Sequence, residues 1–150
     1  MKHASNILVI NGPNLNLLGE REPHIYGNTT LIQLIYKLNE KGKLLNTKIH
    51  HVQSNSESTL IKKIHNSSKK IDYIIINAGA FTHTSIALRD ALISVNIPFI
   101  EVHISNIYAR ESFRSHSWLS DVSSGVICGF GLDGYFWALK TAIKRIKQKK

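Results

Sequence analysis

Cysteine is nearly absent: Cys128 is the only one among 150 residues. No disulfide can form within the chain, and no cysteine-based zinc site is available to it. The thiol falls inside the apolar run 125–130 and reads as a small buried hydrophobe. No apolar run reaches the ~18 residues that cross a bilayer, so no membrane span is expected. The opening Met1-Lys2-His3-Ala4-Ser5 passes straight into a short apolar segment, without the longer stretch and cleavage site of a secretory signal. A cytoplasmic protein is the expectation. Neither GxGxxG nor GxxxxGK[ST] occurs, so a nucleotide would lack its usual backbone cradle. Acidic residues are scarce, 10 against 19 Lys and Arg, and the formal charge of +9 fits an anionic partner, whether nucleic acid or a small acid. Lys140, Lys144, Arg145, Lys147, Lys149 and Lys150 supply much of that excess. Cations there suit the C-terminal pole of a helix and stay solvated, so no nucleic-acid partner is expected.

What is present is a chain with enough apolar residues, 43%, to fill a core. Five β-branched-rich runs recur: Ile7–Ile10, Thr47–Val52, Tyr73–Ile76, Pro98–Val102 and Val126–Cys128. Helical patterns follow most of them. Leu31, Leu34, Ile35 and Leu38 share one face after Thr29-Thr30. Ser54-x-x-Glu57 reads as a capping box before Leu60, Ile61 and Ile64. Ala87, Leu88, Ala91, Leu92 and Val95 repeat with helical spacing until Pro98, with Thr82 and Thr84 as candidate caps. Phe136, Leu139, Ile143 and Ile146 mark a last helix. Tyr135 and Trp137 within it read as packing residues, and Phe113 and Trp118 as packing or interface. Strands alternating with helices imply right-handed crossovers and a parallel sheet covered on both faces. The expected fold is one α/β domain over 1–150, a flavodoxin-like three-layer doubly wound unit with five parallel strands.

Ligands of such sheets bind beyond the carboxyl ends of the strands. Three of those ends carry unusual polar residues: Asn11-Gly12-Pro13-Asn14-Leu15-Asn16, Asn77-Ala78-Gly79-Ala80 with Thr82-His83-Thr84, and Glu101-Val102-His103-Ile104-Ser105-Asn106. Gln53-Ser54-Asn55 after the second strand reads as turn and cap chemistry. The connection of about 13–28 is longer than the ~2–6 residues usual between strand and helix, which marks a lid with Gly19 and Gly27 as hinges. It holds Arg21, Glu22, His24 and Tyr26. His50 and His51 are adjacent on a strand and point to opposite faces, so they make a poor metal pair. No ligand spacing recommends a metal at Glu101, His83 and His103 either.

The blocks Asn11–Leu18 with Gly19, Arg21-Glu22-Pro23 and Tyr26-Gly27, then Gln53–Glu57, Asn77–Ser85 with Arg89-Asp90-Ala91, and Glu101–Asn106 with Arg110-Glu111, Arg114 and Ser117, resemble the type II 3-dehydroquinate dehydratases. The resemblance spans nearly the whole chain. It implies a cofactor-free and metal-free hydro-lyase of the shikimate pathway that dehydrates 3-dehydroquinate to 3-dehydroshikimate, assembled as a homododecamer, a tetramer of trimers. By the same resemblance Tyr26 is the base, Arg21 supports it, Asn14 holds a water at the enolate, His103 is the acid and Glu101 holds its ring. Asn77, His83, Ile104, Ser105 and Arg114 bind the ring hydroxyls and carboxylate, and Asp90 reaches a neighbouring subunit's site.

The residue chemistry is consistent with that assignment. A tyrosine titrates near ~10, so a tyrosine base needs cations beside it, and Arg21, Arg110 and Arg114 are candidates. Glu101 and His103, two apart on a strand, share a face, and a carboxylate beside an imidazole favours the protonated ring. Two other readings remain at this point: a non-catalytic flavodoxin-like module holding a phosphorylated or flavin ligand, which Pro13 and the long polar connection disfavour, and a basic nucleic-acid binder.

Overall fold

A computed structural model describes residues 3–149, with the side chain of Tyr26 outside the described set. Five strands, β1 (Ser5–Asn11), β2 (Thr47–Gln53), β3 (Tyr73–Asn77), β4 (Phe99–His103) and β5 (Gly125–Cys128), form one sheet of order β2-β1-β3-β4-β5. Every pairing is parallel. The helices are α1 (Pro23–Tyr26), α2 (Leu31–Leu44), α3 (Glu57–Asn66), α4 (Ile86–Val95) and α5 (Asp133–Lys149). This is the doubly wound flavodoxin-like arrangement that the alternation of runs implies.

Alternation along the strands divides the core in two. Ile7, Val9, Tyr73, Ile75, Ile100 and Val102 pack under α2 and α5 with Leu34, Leu38, Leu139 and Ile143. Leu8, Ile10, Ile74, Ile76 and Phe99 pack under α3 and α4 with Leu60, Ile64, Leu88 and Leu92. A strand buried on both faces has no polar side to show, which is why these runs read as unbroken apolar stretches.

The helix starts differ in detail from the sequence expectation. Thr30 caps α2 in a full capping box with Gln33. Ser56, not Ser54, caps α3 by accepting from the Thr59 amide at 3.3 Å, and Ser54 instead accepts from the Ser56 amide at 2.9 Å. Ser85, rather than Thr82 or Thr84, caps α4 through the Leu88 amide. Between β4 and β5 the chain makes three short 3-10 turns in place of an α-helix. β5 is an edge strand, so Cys128 is only half-buried there, with Sγ 3.5 Å from the Ser105 carbonyl. Trp137 is 52% exposed, so it is not the packing residue that its place on the helix suggests, while Phe113, 65% exposed, does not contradict its reading as packing or interface.

Register places the site. Asn11 lies level with Gln53 on one side and Asn77 on the other, so three polar residues end their strands in one row. The chain leaves that row through a close crossing. A Cβ on Gly12 would sit 2.2 Å from the Ala78 carbonyl oxygen, and both partners are backbone. Replacement of Gly12 by Ala forces β1 and β3 apart at their ends. The expected result is a loss of at least about 2 kcal/mol, read as a lower denaturation midpoint, which a variant of wild-type stability would contradict.

Candidate active site

Beyond the carboxyl ends of β1, β3 and β4 lies a cleft of about 180 Å³, lined among others by Asn14, Asn77, His83, His103, Ile104 and Ser105. Its size suits a small molecule rather than a dinucleotide. A wider groove of about 670 Å³ runs between α2 and α5, but no buried polar side chain lines it. Size therefore does not mark the site; convergent polar groups do.

The cleft floor is built on β4. Glu101 is fully buried and His103 is 5% exposed, and alternation along the strand puts both on one face. His103 Nε2 hydrogen-bonds one oxygen of the Glu101 carboxylate. The other oxygen accepts from Ser120 Oγ at 2.7 Å and Ser117 Oγ at 3.1 Å. Burial pushes the Glu101 carboxyl up, but the His103 bond and charge and the two hydroxyls more than offset it, holding the group below its ordinary value. Glu101 is thus an anion locked behind the imidazole. With Nε2 committed, Nδ1 of His103 is the nitrogen left to serve the cleft. His83 stacks alongside with ring centroids 6.5 Å apart. Its Nδ1 lies 2.7 Å from the His116 carbonyl, an oxygen that only accepts, so in the neutral ring Nε2 keeps its lone pair.

Three guanidinium groups, Arg21, Arg110 and Arg114, line the same cleft. Arg114 donates through Nε to Glu111 at 3.0 Å and lies over the Phe113 ring, so its outer fork is positioned for a ligand carboxylate. The Arg114 bond, then the Glu111 backbone, hold the Glu111 carboxyl below its usual range. Arg110 Nη1 lies 3.5 Å from Ser105 Oγ. Arg21 sits on the long connection, 3.6 Å from Glu22. That connection is not featureless: it carries a 3-10 turn over Leu15–Leu17 and the short helix α1. Gly19 adopts φ 91° and Gly27 φ 76°, and a Cβ on Gly19 would meet the Asn28 carbonyl at 2.8 Å. Gly19 therefore closes against Asn28, and residues 20–27 form an excursion from that one point.

The cleft brings together Asn14, Arg21, Asn77, His83, His103, Ile104, Ser105 and Arg114 from the sequence expectation, with Glu101 directly behind. Asp90 lies exposed on α4, outside the cleft of its own chain. Tyr26 ends α1, and its side chain lies outside the described residues. Sequence reasoning missed the supports. Gln53 and Asn55 are more than turn residues: Gln53 Nε2 donates to the Gly12 carbonyl at 3.2 Å, and Asn55 Oδ1 accepts from the Asn14 amide at 3.0 Å. Ser120 was hidden in a serine-rich stretch. Arg89 clamps Asp121 through both guanidinium arms and the Trp118 carbonyl at 2.8 Å, fixing the segment that carries Ser117 and Ser120. His50 and His51 bond different partners, Asn6 and Asn11. Among the described residues no group of three or more His, Cys, Asp or Glu is placed to hold a metal ion.

A doubly wound sheet with polar groups gathered at one edge frames a flavodoxin-like α/β protein, and this cleft equips the frame for acid–base work on an anion. The particular family follows from comparison: the family described as dehydroquinase class II matches residues 5–143, and the chain belongs to it. It is 76% identical to the 3-dehydroquinate dehydratase of Buchnera aphidicola subsp. Baizongia pistaciae over 99% of this chain and 96% of that one. It is 57% identical to that of Citrobacter koseri over 99% of both. The crystal structure of type II dehydroquinase from Propionibacterium acnes matches with a TM-score of 0.90 at 45% identity, over 95% of this chain and 99% of that one. A 3-dehydroquinate dehydratase-like protein from Bifidobacterium longum matches more distantly, with a TM-score of 0.70 at 29% identity, over 95% and 98%.

The buried carboxylate sets a pH dependence. Because the folded value of Glu101 lies below the ordinary 4.5, its contribution to stability is present above that pH and lost as pH falls through the folded value. Glu101→Gln should lower stability by about 1–3 kcal/mol at neutral pH. The difference in thermal midpoint between wild type and variant should shrink in acid; an equal difference at both pH values would refute the assignment.

Proposed function

We propose that this chain dehydrates 3-dehydroquinate to 3-dehydroshikimate in the shikimate pathway, as a single catalytic unit over 1–150 with a lid at about 13–28. One observation carries the reading: a buried Glu101–His103 pair opens onto an arginine-lined cleft in a chain of the class II dehydroquinase family. Tyr26, as tyrosinate, takes a proton from C2, next to the ketone, and the electron pair moves onto the carbonyl oxygen as an enolate. Arg21 favours the tyrosinate, and Asn14 holds a water at the enolate oxygen. The enolate then re-forms the ketone and expels the C1 hydroxyl, which leaves as water with a proton from His103. Donation from Nδ1 requires the doubly protonated ring, and Glu101 is its counter-ion at Nε2. A proton passed back from Tyr26 to His103 through solvent resets both groups. The bonds broken are C2–H and C1–O, the products are enone and water, and no electron acceptor is involved.

Binding follows from the same cleft. Arg114 takes the substrate carboxylate as a two-pronged fork, which suits an acidic ring better than a lysine would. Asn77, His83, Ile104 and Ser105 address the ring oxygens, the last two partly through backbone groups. Asp90, exposed on α4, reaches the corresponding site of a neighbouring subunit in a cytoplasmic homododecamer. A second copy gives that carboxylate a role that its own cleft does not offer. Among the described residues no helix is long and apolar enough to cross a membrane.

The direct experiment adds 3-dehydroquinate to purified, chelator-treated protein and follows ultraviolet absorbance. The product is a conjugated enone and the substrate is not, so absorbance should rise without added cofactor; a flat trace from folded protein would sink the reading. Tyr26→Phe and His103→Ala should each reduce turnover by about 10²–10⁴-fold with fold and assembly intact. Near-normal turnover in Tyr26→Phe would remove the tyrosine from its role. Arg21→Ala should lower kcat more than it raises KM. Asp90→Ala should lose activity while keeping its elution volume in size exclusion, and an unaffected rate would argue against a shared site.

A further inference from the structure

Beneath the cleft a single file of hydrogen bonds crosses the sheet on its α5 side. The Gly79 amide lies 3.1 Å from Asn77 Oδ1, and Asn77 Nδ2 lies 2.9 Å from the Tyr135 hydroxyl. That hydroxyl lies 2.6 Å from Asn11 Oδ1, and Asn11 Nδ2 lies 3.1 Å from His51 Nε2. Tyr135 and Asn11 are fully buried and Asn77 is 4% exposed, so a broken link leaves a buried polar group without its protein partner.

The direction of the whole file follows from its first member. A backbone N–H can only donate, so the Asn77 atom facing Gly79 must be the oxygen. Asn77 then turns its amide nitrogen to Tyr135 and donates. The tyrosine has one hydroxyl proton and gives it to Asn11 Oδ1. Asn11 is left with its nitrogen facing His51, whose Nε2 must be a bare acceptor with the ring proton on Nδ1. Burial pushes the His51 imidazole down to about 4, which keeps it in that neutral form. Each donor in such a chain is polarised by the one before it.

We infer that Tyr135, Asn11 and His51 are positioning residues that hold the Asn77 amide in one sense, presenting an N–H rather than a C=O to the ligand. One hydrogen of Asn77 Nδ2 is used on Tyr135, and the second is left for the cleft that Asn77 lines. An amide turned the other way would fill the same space and face the ligand's oxygens with a lone pair. The same lock holds the turn at Gly79, from which the 3-10 segment Gly79–His83 carries His83 into the cleft. The inference rests on the cleft being a 3-dehydroquinate site.

A kinetic cycle tests it in the full-length enzyme. Tyr135→Phe should raise KM for 3-dehydroquinate about tenfold, the size of one well-made hydrogen bond to ligand, with a smaller change in kcat. In an Asn77→Ala background the same change should add nothing, because the two act through one group. His51→Leu should raise KM, and His51→Gln, which restores an acceptor oxygen near Nε2, should bring it most of the way back. Additive effects of Tyr135→Phe and Asn77→Ala, or equal damage from His51→Leu and His51→Gln, would overturn the inference. If Tyr135→Phe does not fold, the His51 pair decides. Nitrogen-15 spectra of His51 give an answer independent of turnover: a bare Nε2 supports the file, and a proton on Nε2 refutes it even if the wild type proves inactive.

Discussion

One buried negative charge organises the carboxyl-terminal edge of this sheet. Glu101 has no exposed surface, and an ion removed from water costs several kcal/mol unless donors surround it. Its three donors come from two places: His103 on the same strand, and Ser117 and Ser120 from the connection to β5. The short turns between β4 and β5 are compatible with this. Serine hydroxyls must reach down to the strand, and short 3-10 turns bring the chain close enough, where a helix laid across the sheet would hold it away. Arg89 fastens those turns to α4 through Asp121. The carboxylate's partners thus include a wall of the cleft as well as the imidazole that faces it.

The two sides of the cleft are built differently. The floor, from β1, β3 and β4, is paired on both sides and packed on both faces, so its groups are held to fixed positions. The segment from Pro13 to Asn28 is tied to the turn after β2 by Asn55, which accepts from the Asn14 amide, and folds back on itself where Gly19 meets Asn28, with Gly19 and Gly27 at positive φ. Glu22 also takes a left-handed conformation at the start of α1, which a residue with a Cβ adopts at a cost.

Much of this was legible in the sequence. Apolar runs of four or five residues with β-branched side chains can be read as covered strands because the sheet is buried on both faces, and the runs at Ile7–Ile10 and Tyr73–Ile76 are buried throughout. The site was legible because strand ends converge by topology, so Asn14, Asn77 and His103 needed no distance information to be grouped. The supports were not legible. Ser120 meets Glu101 only after a connection folds back, and nothing local distinguishes it from Ser123 or Ser124. The caps at Ser56 and Ser85 sit among other serines and threonines, and the winning residue is fixed by where the neighbouring strand releases the chain. Trp137 reads as packing from its place on a helix, yet it is 52% exposed at the groove between α2 and α5.

Tyr135 shows why composition alone misjudges such a residue. On a helical wheel it is one more aromatic on the buried face of α5, and it does pack there. Its hydroxyl, however, joins β1 to β3 at the level where both strands deliver polar residues. A phenylalanine would fill the same volume and leave Asn11 and Asn77 each short of a partner inside the protein, a loss that falls on orientation more than on packing. The backbone amide of Gly79 is what turns this network into a directional one, since it alone has no choice of role. From that fixed donor the sense of each following amide and hydroxyl can be read, and each link in turn, out to a histidine on β2, helps to hold it. A parallel sheet makes this possible, because it sets the ends of neighbouring strands side by side and couples a fixed backbone group after one strand to a side chain two strands away.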